Sequence, residues 1–142
     1  MKANELMIGD WIDVNGIPAQ VFELAYNKNE KEMTIGILDP QGEVYSCYYG
    51  YDHVEPIPIT EDILDKNFKD MAEPHQRIYG GRWVYYDEYI EIEITEYTDG
   101  LWQVEVDEVE MSGLPSWKMY VSNVHELQHA LRLCNFNKEI IL

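Results

Sequence analysis

The chain is poor in positive charge. Ten Lys and Arg stand against 27 Asp and Glu in 142 residues, a formal net charge of −17. A nucleic-acid backbone is bound by basic side chains that release its counterions, so this balance argues against such a partner, and equally against an anionic membrane surface. Cysteine is scarce too. Cys47 and Cys134 are the only two; they lie far apart and match no metal or redox spacing, so both are expected as buried free thiols. No run reaches the ~20 apolar residues of a membrane-spanning helix, and the opening MKANELMIGD has no apolar core of the export type. A cytoplasmic location is the expectation. A glycine-rich phosphate loop is absent, as is any serine or cysteine nucleophile with a recognisable local signature, an internal repeat or a low-complexity segment. Gly80-Gly81 reads as a bulge or turn.

What is present suits a folded body. The apolar share is 46%, and eleven Tyr with four Trp argue against disorder. The length is that of one domain or two small ones. Between Glu5 and Ile59 the pattern is of short strands and tight turns. Asn15-Gly16, flanked by Val14 and Ile17, is the strongest hairpin signal. Its arms are Trp11–Val14 and Ile17–Leu24, the second beginning at a sheet edge because Pro18 cannot donate to a ladder. A turn at Asn27–Glu30, a strand Met33–Leu38, a turn Asp39-Pro40-Gln41-Gly42 and a strand Val44–Tyr49 follow. This density of strands predicts a small SH3-like β-barrel over residues 1–59.

Residues 60–142 read as a helix, an antiparallel meander and a closing helix. The prolines of Glu55–Thr60 keep the connector extended. Thr60 caps a helix from Glu61 to about Met71, with Ile63, Leu64, Phe68 and Met71 on its apolar side and Glu73-Pro74 at its end. Strands are expected at Arg77–Tyr79, Arg82–Tyr86, Tyr89–Tyr97, Leu101–Val109 and Ser116–Val121. The fold class is therefore α+β. Pro56–Pro58 is too short for a free linker, so the two halves are also compatible with one continuous domain.

Ile90, Ile92 and Ile94 alternate with Glu91 and Glu93, and Val104 and Val106 with Glu105 and Asp107. A three-residue loop Thr98-Asp99-Gly100 keeps the apolar residues on one face, pairing Ile94 with Val104 and Ile92 with Val106. It also sets Glu93 opposite Glu105 and Glu91 opposite Asp107. Like charges so placed repel by some tenths of a kcal/mol, which marks these four carboxylates as a candidate surface for a basic partner or a divalent cation. The tyrosines at 45, 48, 49, 51, 79, 85, 86 and 89 have too few bases among them for nucleobase stacking and suit half-buried sheet faces or a protein interface.

The last helix, Ser122 to about Phe136, offers two readings. Val124, Leu127, Ala130, Leu131 and Cys134 form an apolar stripe, with Ser122-Asn123 as cap, Glu126 suited to the positive helix end, and Asn135 and Asn137 as stops. Lys138–Leu142 is expected to dock as a final strand. The alternative is a zinc hydrolase: in His125-Glu126-Leu127-Gln128-His129 the histidines share a face at ligand spacing, and Glu126 would be general base to a metal-bound water. On the helical wheel both histidines point away from the stripe, towards solvent with Arg132. Where the extended metallopeptidase motif has glycine and a third histidine, this chain has Arg132 and Asn135. The lid reading is preferred.

The opening MKANELMIGDW, the connector EPIPIT before an acidic helix and the closing VHELQHAL, in that order, resemble a large group of short, uncharacterised proteins from Bacteroidetes-type gut bacteria, often carried by prophages and other mobile elements. Members open with an NELRIGN-like string, carry a PIPLTEEWL-like connector and helix, and close with a VHQLQNL-like helix. The chain departs from that pattern at Asp62-Ile63-Leu64-Asp65, where an aromatic is more common, and in its tail. The resemblance implies no activity. It implies that the HELQH string is a structural helix, since the group has Gln at the position of Glu126 and Asn at that of His129. The expectation for function is a non-enzymatic, cytoplasmic accessory protein that needs no cofactor and binds another protein. The alternatives are the zinc hydrolase and an acidic mimic of a polyanion.

Overall fold

In the computed structural model, which describes residues 5–28, 31–49, 52–68, 82–86, 90–108, 116–134, 136 and 139–142, Asn15 and Gly16 have φ of 56° and 84°. Two successive positive φ values make the type I′ turn whose twist matches paired strands. It joins β1 (Trp11–Val14) to β2 (Ile17–Asn27) in the register Val14↔Ile17. β3 (Glu32–Leu38), β4 (Val44–Tyr49) and β5 (Val54–Pro56) complete an antiparallel sheet of order β4-β3-β2-β1-β5. It belongs to the first of two compact units, Met1–Ile57. Ile12, Val14, Ala19, Val21, Ile35, Ile37 and Cys47 form its core. Among the described residues no pairing joins β4 to β5, the two outer strands of this sheet.

β2 is an inner strand, but its first residues, Pro18 among them, lie at an edge on the side away from β1. The β2–β3 ladder begins only at Gln20↔Leu38, so the missing N–H of Pro18 falls beyond the end of β3. Farther along β2 the register slips between Val21 and Glu23, leaving Phe22 as an extra residue. Its ring lies across Gly36 of β3: a Cβ built there would stand 2.8 Å from both Phe22 Cζ and Glu23 Cβ. Glycine is required at this position by close approach, and the bulge that creates the approach also bends the long strand.

The second unit, Pro58–Leu142, holds α1 (Glu61–Phe68), β6 (Arg82–Tyr86), β7 (Ile90–Thr98), β8 (Leu101–Glu108), β9 (Trp117–Val121) and α2 (Val124–Leu133). The strands pair in sequence order, β6-β7-β8-β9. Ile94↔Val104, Ile92↔Val106, Glu93↔Glu105 and Glu91↔Asp107 are the observed pairs, the register expected from period two. The turn differs in detail. Glu96 pairs with Trp102 and Thr98 with Leu101, so the extra residue is a bulge at Tyr97 and the link itself is Asp99-Gly100.

One face of this sheet carries Trp83, Ile92, Ile94, Trp102, Val104, Val106 and Val121, all buried. Thr60 Oγ1 accepts from Ile63 N at 3.3 Å and starts α1, which buries Leu64 and Phe68. α1 is tied to β6 by Trp83 Nε1, which donates to Asp65 Oδ1 at 3.0 Å. α2 begins just after β9, and Phe136 beyond its end meets Tyr85 of β6 at 4.4 Å between ring centroids. Its ten residues rise about 15 Å, and three strand spacings are about 14 Å. The helix thus starts beside β9, and the chain just past its end meets β6.

The expected final strand is corrected. Residues 139–142 pair with no strand. Ile140 is fully buried, and the buried Asn67 side chain binds the backbone of Ile141 on both sides, donating to its carbonyl at 2.7 Å and accepting from its N–H at 2.8 Å. The expected features at Asn29-Glu30, Met71, Glu73-Pro74, Arg77–Tyr79, Gly80-Gly81, Asn135 and Asn137 lie outside the described residues. Among the described residues no helix is long and apolar enough to cross a membrane.

Candidate functional site

The HELQH string occupies the first turns of α2. Asn123 is extended (φ −129°, ψ 154°) and precedes the helix. Glu126 folds back: its Oε2 accepts from Ser122 N at 2.7 Å and Asn123 N at 3.1 Å. Those backbone donors have no partner within the helix, and a carboxylate there also meets the positive helix end. One of the two carboxylate oxygens of Glu126 is thus engaged in capping.

His125 is not on a solvent face, as the helical wheel suggested. It is 3% exposed, and Gln128 is 5% exposed. At ~100° per residue, the buried arc from Ala130 through Leu127, Leu131, Val124 and Gln128 to His125 covers about 220°. The apolar stripe, from Ala130 to Val124, is about 120° at one end of it, so the helix is enclosed on one flank as well as over its stripe. The residues ahead of α1 run beside the helix start, where Ile59 N donates to Ser122 O at 3.0 Å and Pro58 bridges to Asn123. His129 is half-buried, its ring centroid 5.8 Å from that of His125. Among the described residues no group of three His, Cys, Asp or Glu is arranged to hold a metal ion. The two cysteines are buried and free. Burial pushes the Cys134 thiol up to about 11; burial, then the charge of Asp52, raises that of Cys47. Neither supplies a thiolate nucleophile at neutral pH.

One direct check separates the roles of Glu126. Glu126→Ala is expected to destabilise the second unit by about 1 kcal/mol in urea melts, while Glu126→Gln keeps most of that stability because a glutamine oxygen also accepts at this position. Equal loss in both variants would contradict the capping role.

The other candidate is the outer face of the four-stranded sheet. The structure brings Glu91, Glu93, Glu105 and Asp107 together on it, in two cross-strand pairs. Two bases that sequence reasoning missed stand beside them. Arg82 of β6 pairs with Glu93, and Lys118 Nζ of β9 lies 2.9 Å from Glu105 Oε2. That hydrogen bond is the leading cause that raises the pKa of Lys118. Gln103 Nε2 also donates to Glu105 at 3.1 Å. The repulsion of Glu93 against Glu105 is thereby offset within the sheet. The signal was available: Lys118 lies between Trp117 and Met119, and Arg82 before Trp83, so alternation places both on the carboxylate face. Tyr97 and Tyr120 border the same face, 4.9 Å apart in an edge-on pair and 59% and 47% exposed.

Comparison with family models, curated proteins and solved structures finds no match to this chain.

Proposed function

We propose that the chain is a non-enzymatic accessory protein that binds a basic protein partner through the outer face of its second sheet. The observation that carries this is the carboxylate group of half-buried Glu91, Glu93 and Glu105 and exposed Asp107 beside the Tyr97–Tyr120 pair. Acidic residues whose Cβ atoms stand about 5 Å apart across strands and about 7 Å apart along them suit lysine and arginine side chains of a facing surface. Exposed tyrosines add contact area at low entropic cost. Arg82 and Lys118 interrupt the acidic rows, which favours discrete basic side chains over imitation of a continuous polyanion. The hydrolase with His125 and His129 as ligands has less support, because Glu126 is occupied as a cap.

In the first unit the strand order β4-β3-β2-β1-β5, with β2 long and bent at Phe22, supports the SH3-like barrel reading. A cytoplasmic location and an origin in the mobile-element-associated group belong to the same proposal.

The test compares capture from extract of the native host by the wild type and by the double variant Glu91→Lys, Asp107→Lys. A basic protein retained by the wild type, weakened at least about tenfold in the variant and released by salt is expected. Equal retention by both proteins would sink the assignment to this face.

A further inference from the structure

The first unit carries a different opening for a partner, at the β4 edge. Sheet edges are normally blunted by charge, proline or shortness. β5 follows that rule with three residues that include Glu55 and Pro56. β4 does not: Val44-Tyr45-Ser46-Cys47-Tyr48-Tyr49 contains no charge and no proline, in a chain of net charge −17. Val44, Tyr45 and Tyr48 are 61%, 51% and 48% exposed.

The backbone pattern identifies which groups are open. The β3–β4 turn is closed by Asp39 N donating to Glu43 O at 3.0 Å. Alternation along an antiparallel ladder then turns the N–H and C=O groups of Tyr45, Cys47 and Tyr49 towards β3, and those of Val44, Ser46 and Tyr48 outward. Tyr48 confirms the phase, because both its outward groups are taken by Asp52: its N–H donates to Asp52 Oδ2 at 2.8 Å and its carbonyl accepts from Asp52 N at 3.1 Å. Among the described residues, the outward groups of Val44 and Ser46 are left as two donors and two acceptors in strand register. Phe22, Val44 and Tyr48 lie beside them on the same face as Ser46 and Gly36.

We infer that the β4 edge takes up an extended segment of a basic protein as an added strand, paired through the backbone of Val44 and Ser46. Strand addition supplies its own main-chain hydrogen bonds, and the side chains then choose the partner. Charge makes that choice here. Residues 1–57 hold ten Asp and Glu against three Lys, a net of −7, and Glu43 and Asp52 flank the strand. A second copy of the chain could form the same few bonds but would bring its own −17 against them. This inference stands apart from the acidic face of the second sheet.

The experiment uses the full chain and a short synthetic peptide alternating lysine with valine, followed by fluorescence anisotropy and by hydrogen exchange at residues 44 and 46. Saturable binding with slowed exchange at both amides is expected. Ser46→Pro deletes one outward donor and leaves the ladder to β3 intact, so it should weaken binding at least about tenfold with little change in melting temperature. Val44→Lys, which places a charge on the edge, should do the same. Glu91→Lys, Asp107→Lys should bind the peptide as the wild type does, separating this site from the acidic face. No binding, binding unaffected by Ser46→Pro and Val44→Lys, equal binding of a peptide with glutamate in place of lysine, or a homodimer that Ser46→Pro dissociates would each overturn the inference.

Discussion

Leu127→Ala is expected to cost the second unit about 3–4 kcal/mol. Leu127 is fully buried in the first half of α2, among Val124, Ala130 and Leu131, which are buried too. Its removal leaves a cavity that a helix held at both ends cannot collapse: Glu126 ties the start, and the Phe136–Tyr85 contact ties the far side. Leu133, on the same helix and 72% exposed, is the control, and Leu133→Ala should change stability by less than about 0.5 kcal/mol. Urea unfolding followed by tryptophan fluorescence reads both, since Trp83, Trp102 and Trp117 belong to this unit. A loss below about 1 kcal/mol for Leu127→Ala would mean that the helix is not the lid of the core.

The second large effect is expected at Asn67. Asn67→Leu keeps the volume but removes the amide, leaving the Ile141 N–H and carbonyl without the partners they now have. Orphaning such groups costs about 1–3 kcal/mol, and undocking Ile140 from the core adds to it. A loss of about 2–3 kcal/mol is expected, with faster hydrogen exchange at Ile141. Removing residues 139–142 should destabilise by a similar amount, and combining both changes should cost little more than either, because they break one interaction. Full additivity would show that Asn67 acts elsewhere.

The parts of this fold that were legible in the sequence are those set by neighbours along the chain. Asn15-Gly16 dictates its own turn. The alternation of Ile92 and Ile94 with Glu91 and Glu93 selects a register in which a slip of one residue would turn every isoleucine to water. The spacing Ser122-Asn123 to Glu126 encodes a cap. What was hidden depends on what packs from elsewhere. Asn67 and Ile141 are 74 residues apart, and no local pattern joins them. His125 was misplaced because a helical wheel locates one packing surface, whereas this helix is enclosed through a wider arc. Pro18 marks only the beginning of an inner strand, because a proline excludes a ladder only on the side its nitrogen faces. The bulge at Tyr97 arose from the same register as the expected loop, so the pairing was predictable where the turn was not.

The two sheets differ in how far apart in the chain their strands lie. Every pairing in the second sheet joins consecutive strands, so each can form as soon as its predecessor exists. The first sheet must also join β1 to β5, Val14↔Val54, closing a loop of about forty residues whose entropy is lost before any contact repays it. Refolding should therefore show two speeds, with the second sheet acquiring its structure first and the first unit waiting on the return of β5.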